Sequence, residues 1–290
     1  MTFIIIFKIL VGISLVLFLV YLSEKVSPKI AGIIGGTAIG GTAVSLFFFG
    51  FEHGAGFVQQ AIPWTIAGLG SEIMFYLGYY FGGKIVPNKF GLFWQMLSAI
   101  FFSFLFFFSL GYLLSIIDFT LLTGVLAFSA IYLIVNFIFR NIRNRSFLCV
   151  HKTTFWEFIF RIIIVSGLII FITSVPLLLG NRWAGLFSAF ATTTFPVLLI
   201  LHYKHGSDAL NTVIKNISWS LSSLVVYIIG VYYLYEIIGV YYGTLVSFVI
   251  SFVFLLILKF VYVKIDMWMN KSEYAREKDL IEQMNNLWIK

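Results

Sequence analysis

The sequence predicts an all-α polytopic membrane protein on three observations: charge is too sparse for a soluble surface, apolar windows of bilayer length recur, and basic residues gather in the short segments between them. Only 11 % of the 290 residues are charged and 61 % are hydrophobic, with a mean hydropathy of +1.02, whereas a soluble domain carries about 25 % charged residues. Lipid asks for the opposite balance, in windows of about 20 apolar residues.

Nine windows meet that length. The first, 3–22, is too long and uninterrupted for a secretory h-region and has no small-residue cleavage site after it, so it reads as a retained span. The second, 30–50, follows the turn Ser27-Pro28-Lys29 and ends before His53-Gly54. The third, 56–82, closes at Gly82-Gly83-Lys84. The fourth and fifth are 91–114 and 119–139, and a basic segment separates them from the sixth, 156–178. Gly180-Asn181-Arg182 opens the seventh, 184–203; His205-Gly206-Ser207-Asp208 divides it from the eighth, 209–233; the ninth is 240–263. Beyond 265, Tyr274, Ile281, Met284 and Trp288 recur at helical spacing against a charged face. That predicts an amphipathic helix on the cytoplasmic interface or on a protein partner.

Odd-numbered loops carry Lys25 and Lys29, Lys84 and Lys89, Arg140, Arg143, Arg145 and Lys152, and Lys204; even-numbered loops carry Arg182. Basic residues stay on the cytoplasmic side, so the expectation is a multi-pass protein of the inner membrane with its N-terminus outside and its C-terminus cytoplasmic. The net charge of +7 is therefore read as setting topology, and nucleic acid is not expected as a partner. One cysteine, Cys149, excludes an internal disulfide and a Cys-based metal site.

The chain also resembles itself. Ala31-Gly32 corresponds to Ala184-Gly185, His53-Gly54 to His205-Gly206, Gly78 to Gly230, Tyr80 to Tyr232 and Phe90-Gly91 to Tyr242-Gly243, at a spacing of 152 or 153 positions. This divides the chain into a four-helix repeat (1–114), a connector helix with a basic loop (115–154), a second four-helix repeat (155–264) and the tail (265–290). An odd connector turns the second unit over, giving two inverted halves related by a twofold axis in the membrane plane.

The run Arg182, Ala184-Gly185, Phe195-Pro196, His202-Tyr203, Gly206 resembles the GlpM family of small inner-membrane proteins. One unit of that family spans about half of this chain, so the resemblance implies two fused copies. The first copy departs from the pattern, with Thr42-Ala43 and Phe48-Phe49 where the second has Phe195-Pro196 and His202-Tyr203. The family implies architecture rather than an activity.

Catalytic signatures are absent: there is no nucleophile elbow, no HExxH, no phosphate loop and no DxD pair. An enzyme is not expected, nor is a cofactor. The four histidines lie outside metal-ligand spacing, so no metal site is expected.

Glu72, beside Ser71 and deep in the third window, is the sharpest candidate. A carboxylate is costly in hydrocarbon and should face the bundle interior. Its counterpart is Leu224, next to Ser222 and Ser223, so one acid stands in an otherwise matched pair. Two readings follow, a proton- or cation-coupling site and a neutral acid bonded between helices. Gly32, Gly36 and Gly40 form a small-residue stripe for close helix packing or for gating. Thr192, Thr193 and Thr194 precede Pro196 in the equivalent region of the seventh window, and Pro196 removes one backbone donor and frees a carbonyl, a break with free polar groups near mid-membrane. His53 and His205 occupy matching turns, either as pH-sensitive gates or as solvated turn residues. Together these predict a transporter or lipid-type flippase acting on a small molecule, ion or lipid, with helices 2, 3, 7 and 8 around the cavity. The rival expectation is a non-transporting scaffold of envelope or polysaccharide machinery.

Overall fold

The computed structural model describes residues 26, 28–38, 40–142 and 180–269, with isolated positions 10, 11, 14, 18, 159, 163 and 167. Nearly all of the expected first and sixth spans, and the tail beyond 269, lie outside the described residues. Every regular element within them is helical. Three stretches are long and apolar enough to cross a membrane: Leu92–Ile116, Leu121–Phe139 and Leu210–Leu258.

We number the helices α1 (Pro28–Gly35), α2 (Gly41–His53), α3 (Ala55–Ile85), α4 (Leu92–Ile116) and α5 (Leu121–Phe139), with a 3-10 turn at Asn88–Phe90. Residues 180–188 form α6. The helical run Thr194–Met269 is broken at Gly206 (φ 69, ψ −169) and Gly239 (φ 77, ψ 171). It thus comprises α7 (194–205), α8 (207–238) and α9 (240–269). The chain forms two compact units, Met1–Ser251 and Phe252–Lys290; the site described below lies wholly in the first.

α3 is the central helix of the first unit. Its buried positions run around the whole circumference, from Val58 to Gly82, and it packs on α4 and on α5. On α4 the buried residues Ala99, Ser103, Phe107, Gly111 and Leu114 fall on one stripe, while Phe93, Phe101 and Phe108 point outward. Small residues inward and bulky apolar ones outward is the pattern of a helix bordered by lipid, where close approach depends on small side chains. Gly124 makes the corresponding approach for α5: a β-carbon there would lie 2.6 Å from the Pro63 carbonyl oxygen. A capping box starts α5, with Thr120 Oγ1 accepting from the Thr123 N–H (3.3 Å) and the Thr120 N–H donating to Thr123 Oγ1 (2.8 Å).

Contacts sort the connecting segments into two groups. Asn181 donates to Gln60 (2.7 Å), the Trp64 indole to the Ile117 carbonyl (3.1 Å) and Gln59 to Glu236 (2.9 Å), while Arg182 pairs with Asp118. All belong to even-numbered loops or to the helix ends beside them. The buried Lys215 donates to the carbonyls of Arg140 (3.3 Å) and Ile142 (2.6 Å), and the Tyr80 ring packs on Phe139; these belong to odd-numbered ones.

Spans 30–50 and 184–203 are both interrupted, between α1 and α2 and between α6 and α7; the sequence marks a break in the second through Pro196, and none in the first. The first interruption falls on Gly35-Gly36 through Gly40, where helix propensity is lowest. The second precedes Pro196, which sits in the first turn of α7, where its missing N–H costs no helical bond. Finally, Gly91 (φ 88) is matched by Gly239 (φ 77), while Gly243 is helical and packed on Leu234 and Tyr235. The α8–α9 connection turns directly at Gly239, whereas the five residues 86–90 precede Gly91 in the α3–α4 connection.

Candidate functional site: a buried acid beside two broken helices

The two interruptions pack on each other. A β-carbon at Gly40 would lie 3.0 Å from Thr193 Oγ1, one at Gly41 2.6 Å from Thr192 Oγ1, and one at Gly35 3.2 Å from Thr194 Cγ2. The predicted residues Gly40, Thr192, Thr193 and Thr194 therefore meet at one point in the interior, where all four are buried.

Around this point the same contact occurs twice with roles exchanged. A β-carbon at Gly32 would meet the Val213 carbonyl oxygen (2.5 Å), Asn216 Cβ (2.7 Å) and Ile217 N (3.2 Å). One at Gly185 would meet the carbonyl oxygen of Ala61, Trp64 Cβ (3.1 Å) and Thr65 N (3.0 Å). Likewise Gly36 lies against Ser220, and Gly68 lies against Ala189. In each case the partner set is the other shifted by 152 or 153 positions.

Glu72 is 5 % exposed, on the face of α3 turned towards α7. Tyr76, one turn later, donates its hydroxyl to Glu72 Oε1 (2.5 Å) and lies 2.7 Å from Thr194 Oγ1. The chain Thr194–Tyr76–Glu72 thus joins the acid to the start of α7, and Glu72 Oε2 has no hydrogen-bond partner. Two turns further along α7, the buried His202 lies with Nδ1 3.2 Å from the Tyr79 hydroxyl, and its Nε2 is also unpartnered. Glu72, Tyr76 and Tyr79 fall at i, i+4 and i+7, one stripe of α3.

A small cleft opens beside this chain between α1, α7 and α8, lined by Gly35, Thr193, Thr194, Val197, Val213 and Ile217. Its cavity volume is about 10 Å³, the space of about one water. At the corresponding contact of α6 with α3, Thr65 Oγ1 and Ser188 Oγ, both fully buried, are 3.2 Å apart.

The remaining predicted residues stand apart from the acid. Ser71 is buried with its hydroxyl unpartnered and turned towards Gly111 of α4. Ser222 and Ser223 donate to carbonyls of their own helix, Trp219 (3.0 Å) and Ser220 (2.8 Å). His53 is exposed, with its ring 4.8 Å from that of Phe57, and the side chain of His205 lies outside the described residues. Among the described residues no three His, Cys, Asp or Glu gather as they would around a metal ion.

Sequence reasoning missed Tyr76, Tyr79 and His202. Their signal was available: a carboxylate inside an apolar helix with a tyrosine four residues on can share one buried hydrogen bond. Among 15 tyrosines only the acid marks which one matters.

In comparisons with known proteins, the chain matches no family model, no curated protein and no solved structure.

Proposed function

We propose that the protein is a secondary transporter or lipid-type flippase of the inner membrane, whose two inverted halves rock about the contact between their interrupted helices, with Glu72 as the coupling acid. The observation that carries this reading is the reciprocal packing of Gly32 on 213–217 and Gly185 on 61–65, since exchange of roles between equivalent residues is the property of a twofold axis.

Helix directions support inversion. Along α1 and α2, positions 32, 36 and 50 meet α8 or its end at 213–217, 217–221 and 235, rising together. Along α3, positions 61–65, 76 and 79 meet 185, 194 and 202 of α6 and α7, again rising together. Each half reverses direction at a glycine hairpin, Gly54 or Gly206, so α1–α2 runs opposite to α6–α7. A twofold axis that sets equivalent membrane helices antiparallel lies in the membrane plane, the arrangement of inverted-repeat transporters with interrupted helices at mid-membrane. The basic loops then put the odd-numbered connections in the cytoplasm, and the one-water cleft faces that side.

The two-copy GlpM-like reading of the halves fits this duplication and rests on short motifs. A second reading is favoured by the small cleft: a site with room for about one water suits a non-transporting subunit that docks envelope machinery through its tail. Reconstitution into liposomes under an imposed pH gradient separates the two. The transporter reading predicts faster dissipation by the native chain than by Glu72→Gln. Equal rates from two folded proteins remove Glu72 from coupling, and loss of cellular function on deleting 267–290 with the bundle dispensable selects the scaffold.

A further inference from the structure

We propose that the coupling ion is a proton and that it reaches Glu72 from the cytoplasmic-side cleft through Thr194 and Tyr76. This rests on the transporter reading of Glu72 and adds the ion and its route.

The geometry is a continuous line of hydroxyls. Thr194 borders the cleft, its Oγ1 is 2.7 Å from the Tyr76 oxygen, and the Tyr76 hydroxyl donates to Glu72 Oε1 at 2.5 Å. Because the tyrosine proton points to the carboxylate, the threonine proton points to the tyrosine, and the three groups are oriented alike. The alternative acceptor for Thr194, the Ala191 carbonyl, is farther away at 3.5 Å.

A proton on a water in the cleft binds to Thr194 Oγ1, whose own proton passes to the Tyr76 oxygen. The Tyr76 proton passes in turn to Glu72 Oε1. Each hydroxyl ends with one proton, the carboxylate becomes the acid, and rotation of the two hydroxyls resets the line. Nothing is oxidised or reduced.

A hard metal cation is a poor fit to the same place. Such ions take about six oxygen ligands, and here one carboxylate oxygen is already occupied by a donated phenol proton. A cleft holding about one water also leaves no room for a hydrated cation. The other titratable pair on this seam, Tyr79 and His202, is bonded to itself two turns further along α7, off the line from the cleft.

The test follows the protonated carboxyl band of Glu72 by infrared spectroscopy on the full chain in lipid, identified as the band lost in Glu72→Gln. On transfer to D2O the native band should exchange quickly. Thr194→Val and Tyr76→Phe should slow the exchange at least tenfold, and Thr194→Ser should keep the native rate, which rules out a merely structural effect. Native-rate exchange in Thr194→Val overturns the route while leaving Glu72 as the coupling acid. Loss of the band on adding sodium overturns the proton as the ion. If no band is lost in Glu72→Gln, the acid is never protonated, and the transporter reading falls with the relay.

Discussion

Gly36 packs closely on the backbone of α8. A β-carbon there would strike the Ser220 hydroxyl and come within 2.6 Å of the Ile217 carbonyl oxygen. Backbone cannot retreat as a side-chain end can, so Gly36→Leu should cost more than the roughly 1–3 kcal/mol of ordinary overpacking, seen as loss of folded protein in detergent size-exclusion chromatography. Gly206→Ala tests a different cost. Nothing lies within 4 Å of a β-carbon at Gly206, yet its φ of 69 with ψ of −169 suits only glycine. The penalty is therefore conformational alone, about 1–3 kcal/mol, read as a lower thermal midpoint. Arg182 and Asp118 form an exposed ion pair, and Asp118→Asn should change stability by less than about 1 kcal/mol. Glu72, the unmatched acid, was legible as a single residue because charge inside an apolar window is rare. Its partner Tyr76 was not, because tyrosine is common here and only the folded seam singles one out.

At the scale of the element, the interrupted helices are what the sequence half concealed. Hydropathy averages over about 20 residues, so a five-residue interruption inside 30–50 or 184–203 leaves the window apolar and reads as one span. The glycine run of 35–41 and the triple threonine of 192–194 mark the interruptions once their packing is known, but packing between residues some 150 positions apart leaves no periodic trace. Pro196 illustrates the difference. Read inside a continuous span it would break a helix; at the start of α7 it costs little. Pro196→Ala should therefore break no helical hydrogen bond and cost only two buried ring methylenes, about 2 kcal/mol, whereas Leu198→Pro, at a fully buried position in the interior of α7, should cost more than about 3 kcal/mol. Thermal unfolding of the two variants side by side checks this. The hairpin glycines were legible as turns. The pairing of Gly91 with Gly239 rather than Gly243 was not, because a difference in loop length is invisible to a composition match.

For the whole molecule, the charge-sorted loops and the duplicated contacts describe the same object from opposite directions. Loop charges predict which ends share a side; Arg182–Asp118 and Asn181–Gln60 join even-numbered ends, and Lys215 with the carbonyls of 140 and 142 joins odd-numbered ones. If the halves are inverted as proposed, matching turns lie on opposite faces. Single cysteines introduced at Glu52 and Lys204, in a background with Cys149→Ser, measure this with a membrane-impermeant thiol reagent on intact cells. Inverted halves predict labelling of the position-52 cysteine from outside and of the position-204 cysteine only after the membrane is opened. Labelling of both from the same side would mean that the halves are parallel, and would contradict it.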